Sequence, residues 1–215
     1  MQRRIITLTP DFPRVSAVNW DIDWREQSTG AAVSGRRGIS LSNLPRWVGT
    51  PSLWFYQEAI GKWRAHRLSA RGMTGIFRLP MIDPAVFHHP DLDALPFSDD
   101  ALFGDDTGFA NELEVRCPDG AAAGATEIVV DLSTTTGTIR QGQIMSHGDW
   151  PFCVVSIDGG TLTIEPPLRR AIPAGDLILL RGRGLFEMVQ ARTGATGYDA
   201  NHVAQTEFQL QEWLR

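Results

Sequence analysis

The chain has 215 residues, with 42% hydrophobic and 21% charged residues and a formal net charge of −5. That length and apolar content suffice for a packed core of one large or two small domains and exclude wholesale disorder. The acidic balance argues against specific nucleic-acid binding, which usually needs a basic surface.

The first residues, MQRRIITLTPDFP, carry two arginines with no apolar run behind them, so no secretory signal is expected. No apolar stretch reaches the roughly 20 residues that a membrane span requires, so a soluble chain without membrane contact is expected. Residues 18–24 alternate, with Val18, Trp20, Ile22 and Trp24 on one side, which predicts a half-buried strand. Residues 26–38 are polar and Gly-rich and read as a loop or a wide hairpin end. Short strands are expected at 39–41 and 46–49.

Residues 50–69 give the strongest helix signal, with a helix proper over 53–68. Thr50 stands where an N-cap would and Pro51 where the first helical residue would. Leu53, Tyr56, Ile60 and Trp63 then share a helical face, while Trp54 and Phe55 fall off it and suit a subunit contact. Gly61 suggests close approach to a sheet. A strand follows at 76–80.

Residues 81–112 are rich in Pro, Asp and Phe and read as a long functional or interaction loop. Strands are expected at 112–117 and 126–132, with 118–126 as a linker between them. The stretch 137–185 carries a run at 142–146, a run at 152–157, the turn Asp158-Gly159-Gly160, a run at 161–165, the breaker Pro166-Pro167, and a closing run at 176–180. A Gly-rich turn between two β-branched runs predicts a hairpin, because the turn needs positive φ. Strand character returns at 186–192 and 203–214.

Chemical motifs are weak. The acidic run Asp99, Asp100, Asp105 and Asp106 suits calcium by donor type but lacks the EF-hand spacing, and a solvated loop is the simpler reading. His88 and His89 are adjacent and point apart if extended. Asp21 and Asp23 share a strand face and resemble an acid–base pair, though an outward polar face gives the same pattern. Ser146, His147 and Asp149 evoke a triad, but there is no nucleophile elbow and triads draw on distant residues. The two cysteines, Cys117 and Cys153, read as reduced thiols, with a disulfide as the alternative. No catalytic residue, metal site or cofactor site is assigned.

Four stretches resemble minor tail proteins of long-tailed bacteriophages, most closely the distal tail protein at the tube–baseplate junction. They are WRAHRLSARGMTGIFRLPMID at 63–83, FSDDALFGDDTGF at 97–109, the module from IRQGQIMS to EPPLRRAIPAG at 139–175, and FQLQEWL at 208–214. The resemblance implies an α+β, mainly β fold: a tail-tube-like β-sandwich with one packed helix and an inserted small β-barrel. Residues 1–118 and 186–215 would form the sandwich and 119–185 the barrel. It implies a non-enzymatic structural protein of the virion tail tip. Its copies would form a hexameric ring that contacts the tail tube protein and baseplate hub proteins. Phe97, Phe103, Phe109, Arg169 and Arg170 are the candidate subunit contacts. The alternatives are a hydrolase-like tail enzyme and a carbohydrate-binding β-module.

Overall fold

A computed structural model describes residues 3–8, 14–17, 19–31, 37–40, 42, 44–81, 83, 85–86, 113–135, 138–191, 193–198 and 201–215. In chain order the strands are β1 (Ile5–Thr7), β2 (Arg14–Ala17), β3 (Asp21–Asp23), β4 (Gln27–Ala31), β5 (Arg37–Ser40), β6 (Arg46–Gly49) and β7 (Ser52–Tyr56). Helix α1 (Glu58–Ala70) and a 3₁₀ turn (Gly72–Thr74) come next. Then follow β8 (Ile76–Pro80), β9 (Glu114–Cys117), β10 (Glu127–Val129), a 3₁₀ turn (Leu132–Thr134), β11 (Ile144–His147), β12 (Trp150–Asp158) and β13 (Thr161–Glu165). The chain ends with β14 (Asp176–Leu179), β15 (Arg183–Met188), β16 (Val203–Glu207) and β17 (Leu210–Glu212). The fold is therefore mainly β, with a single α-helix among the described residues.

Contacts divide the chain into two compact units, Met1–Ile82 with Gly184–Arg215 and Asp83–Arg183. The sequence reading placed the first boundary at 118/119. The difference arises because β9 pairs with β14, from Asp176↔Cys117 to Leu179↔Glu114, and so belongs to the second unit.

The first unit holds a six-stranded sheet in the order β1-β8-β15-β17-β6-β3, a three-stranded sheet β16-β7-β2, and the pair β4-β5. Three chain passes change sheet at one bend. β2 pairs with β7 and β3 with β6; β16 pairs with β7 and β17 with β6. The bend has a local cause. Pro51 lies between β6 and β7 and has no N–H for a ladder. Asn19, between β2 and β3, accepts from the Thr50 N–H through its side-chain oxygen. Gly49 is required there, since a Cβ would sit 2.5 Å from Trp20 Cε3.

The helix begins later than the sequence suggested. Ser52–Tyr56 is a strand, and Gln57, at φ 47°, precedes α1 without a side-chain cap. Aromatic residues in a row fit a pleated surface as well as a helix face, and the Thr50-Pro51 pair marks the sheet switch rather than a helix start. Tyr56 is consequently exposed, while Ile60 and Trp63 are buried as the helical spacing implied. Phe55 is fully buried rather than displayed at the surface. Gly61 has no atom within 4 Å of where its Cβ would lie, so it marks no close approach. Trp24 is 38% exposed, which removes it from the core assigned to residues 18–24. The segment 26–38, expected as a loop or a wide hairpin end, holds β4 and the start of β5, which pair antiparallel as the second reading implies.

Trp63 anchors the core of this unit. Its ring stacks on Phe55 from β7 (5.1 Å, 16°) and packs against Phe77 from β8 and Phe208. These partners come from both sheets, so one helical side chain ties them together.

The second unit is a six-stranded sheet in the order β10-β13-β12-β11-β14-β9. The β12–β13 hairpin turns at Gly159-Gly160, with Gly159 at φ 57°, which is the requirement read from the sequence. Inward residues from all six strands, among them Val115, Ile128, Met145, Phe152, Ile164 and Ile178, share one core. The sheet does not close as a continuous barrel. Its two ends meet through the isolated bridge Arg116↔Asp131, where the Asp131 N–H donates to the Arg116 carbonyl at 2.8 Å. The segment expected as a linker is held as well, by the exchange of two backbone hydrogen bonds between Ala121 and Ile172.

Candidate functional site

The β11–β12 turn holds a set of polar side chains that includes the residues that evoke a triad. Ser146 is fully buried. Its hydroxyl donates to the Gly148 carbonyl (3.1 Å) and accepts from the Arg183 N–H (3.0 Å). Its donor and one acceptor position are engaged by backbone, and a fully buried hydroxyl cannot be reached by a substrate as a nucleophile must be. His147 Nε2 lies 2.8 Å from Asp176 Oδ2, on β14. Asp149 faces Arg183 at 3.2 Å. Arg183 thus holds Ser146 through its N–H and Asp149 through its guanidinium, while His147 pairs with Asp176 on β14, so the three residues do not form one relay.

Arg170 lies near this turn, with its guanidinium carbon 5.9 Å from the centre of the Trp150 ring. It is exposed and Arg169 is half-buried, so Arg170 offers its outer face to solvent while its inner face rests on an aromatic. Of the five candidate subunit contacts, only Arg169 and Arg170 can be placed. Phe97, Phe103 and Phe109 lie outside the described residues, as do His88, His89 and the acidic positions 99, 100, 105 and 106.

The carboxylates of β3 have structural partners. Asp23 Oδ2 meets Arg46 Nε at 3.2 Å across the β3–β6 ladder, and Asp23 Oδ1 accepts from the Arg25 N–H. Asp21 Oδ1 accepts from the Ile22 N–H. Asp23 is thus committed to a neighbouring strand rather than to acid–base work with Asp21. Among the described residues, no three His, Cys, Asp or Glu side chains gather in a way that could hold a metal ion. No helix among them is long and apolar enough to cross a membrane.

Both cysteines are free. Cys117 joins the core of the second unit. Cys153 sits between the core residues Phe152 and Val154 and so points to the opposite face of the sheet. Two sulfurs on opposite faces cannot meet bridging geometry. Burial pushes both thiols above their ordinary pKa, and Asp83 adds to the effect at Cys153.

Sequence reasoning missed Gln143, a fully buried amide in the tight turn before β11. Its Oε1 accepts from the Arg140 N–H (2.9 Å) and its Nε2 donates to the Leu180 carbonyl (2.8 Å). A glutamine beside a turn glycine looks like a surface residue in sequence; only the return of Leu180 to its side makes it a latch. No protein-family model matches the chain, and no curated protein matches it either.

Proposed function

We propose that this chain is a non-enzymatic structural component of a phage tail tip, a distal or minor tail protein. Its copies form a hexameric ring that joins the tail tube to the baseplate. The observation that supports this reading is the state of the sheet edges in the first unit. β1 and β3 end the six-stranded sheet, and neither has a strand on its outer side among the described residues. Free edge N–H and C=O groups are templates for pairing with another chain. A head-to-tail ring needs two different surfaces on each copy, and a sheet with two free ends supplies them.

The finer architecture belongs to the same proposal. The first unit is a tail-tube-like β-sandwich with α1 packed between its sheets, and the second is a small β-barrel drawn together at Arg116 and Asp131. The commitment of Ser146 and Asp149 to Arg183, and of His147 to Asp176, favours this reading over a hydrolase. The tail tube protein and baseplate hub proteins are the expected neighbours in the virion.

Native mass spectrometry with electron microscopy of the purified chain tests the proposal. Six-membered rings are expected, and a monomer at every concentration tried would overturn it. Removal of residues 97–109, with their three phenylalanines, should leave a folded monomer and weaken the ring. Unchanged rings would remove that segment from the contact.

A further inference from the structure

The first unit contains a cleft of about 450 Å³ between the start of the chain and the end of α1. Arg3, Arg4 and Arg71 line it, against the single carboxylate of Glu187. Arg3 is fixed: it donates to the Thr74 carbonyl (3.0 Å), the Met73 carbonyl (2.8 Å) and Glu187 Oε2 (2.7 Å). Arg4 and Arg71 are exposed, and their hydrogen bonds run through the backbone, to Ile76, Leu68 and Thr74, which leaves their guanidinium groups uncommitted among the described residues. Arg4 and burial together hold the His66 imidazole below its ordinary pKa, burial contributing more.

One feature indicates that Arg71 is not there for the fold. Arg71 caps α1 in the left-handed region, at φ 51° and ψ 52°. Glycine is the residue that takes this position without strain, so an arginine there carries a conformational cost. Beside it the chain turns back tightly on the end of α1. Gly75 lies so near Ala70 that a Cβ would sit 2.6 Å from the Ala70 Cα. The cleft thus combines a fixed wall, small residues beside it and two uncommitted guanidinium groups.

We infer that this cleft binds an acidic peptide segment, which presents its carboxylates to Arg4 and Arg71. A guanidinium offers parallel N–H donors that match a planar carboxylate. Glu187 is paired with Arg3, so those two charges nearly cancel and Arg4 and Arg71 carry the net positive charge of the cleft. An extended segment can set its carboxylates at Arg4 and Arg71 and a neutral side chain beside Met73 and Glu187. The inference does not depend on ring formation, since the cleft lies within one copy of the first unit.

The test is fluorescence anisotropy with a labelled peptide of alternating glutamate and alanine at low and at physiological salt. Binding should weaken with salt. Arg4→Ala and Arg71→Gly should each weaken it by about tenfold. Arg71→Gly should also raise thermal stability, because glycine relieves the left-handed cap; a loss of binding in that variant therefore cannot come from unfolding. An Arg140→Ala variant in the other unit, where the residue is exposed, should bind as the parent does. Equal affinity of parent and both cleft variants would overturn the inference. So would inorganic phosphate displacing the peptide at lower concentration than free glutamate does, which would make the cleft a phosphate site.

Discussion

The indole N–H of Trp63 donates to the carbonyl of Gly194 at 2.9 Å, across 131 positions of sequence. The same ring leaves no room for a side chain at Gly194, where a Cβ would sit 3.0 Å from Trp63 Cζ2, and Gly194 itself has φ 73°. Helix, both sheets and the returning C-terminal segment of the first unit therefore meet at one residue.

Trp63→Ala should destabilise the first unit by about 3–5 kcal/mol, the range for large aromatic deletions from cores. Trp63→Phe keeps most of the packing and loses the hydrogen bond to Gly194, so it should fall between the two. Denaturant midpoints at unchanged slope measure both. A parental midpoint for Trp63→Ala would mean that the aromatic cluster contributes little.

Gln143→Leu conserves size but removes both side-chain hydrogen bonds. The Arg140 N–H and the Leu180 carbonyl are then left without that partner, at a combined cost of about 2–4 kcal/mol. Hydrogen exchange at Arg140 should rise more than at Ile164, in the centre of the hairpin. Uniform exchange rates in parent and variant would show that the latch is dispensable.

The sequence was most readable where punctuation and pattern agreed. β8 is bracketed by Gly75 and Pro80, and β13 by Gly160 and Pro166, so both were bounded correctly by residues that stop a strand. The first turns of the expected helix failed for a physical reason. Leu53 and Tyr56 fit a helical stripe, and Leu53 and Phe55 fit a strand alternation, and so short a span does not separate the two. Pairing with β16 and β2 on both sides decided the matter, and that pairing is non-local. The polar cluster was half legible: Ser146, His147 and Asp149 stood out as residue types, but Asp176 and Arg183 reach them only through the sheet. The arginine cleft was not legible, since Arg3 and Arg71 are 68 positions apart and β1 joins β8 through a parallel pair that leaves no local mark.

Cysteine labelling should separate the two thiols. Both have raised pKa values, so less thiolate is present at neutral pH than in a free cysteine. Cys117 is fully buried and should react with iodoacetamide only after denaturation. Cys153 is half-buried and should react slowly in the native protein, faster as the pH rises above the ordinary thiol value. Rapid native labelling of Cys117, or a Cys117–Cys153 linked peptide from an unreduced digest, would contradict the placement of the two residues on opposite faces.

Asp131 links acid sensitivity to the meeting of the two sheet ends. Its Oδ1 accepts from the Ser133 hydroxyl (2.6 Å) and the Ser133 N–H (3.0 Å), and these bonds hold the carboxyl below its ordinary pKa. Its own N–H donates to Arg116, so the ionised side chain helps to fix the turn that carries the bridge. A carboxyl whose pKa is lower folded than unfolded adds stability at every pH above its unfolded value. That contribution disappears as the pH falls through the folded value. Asp131→Asn keeps the shape and removes the charge. The parent should therefore exceed the variant in stability at neutral pH, and the gap should narrow once the pH drops below the usual carboxylate range. The side chain is exposed, so added salt should shrink the neutral-pH gap as well. Thermal midpoints of both proteins from neutral to acid pH measure the effect. A gap that stays constant or widens toward acid would show that the ionised form of Asp131 does not stabilise the fold.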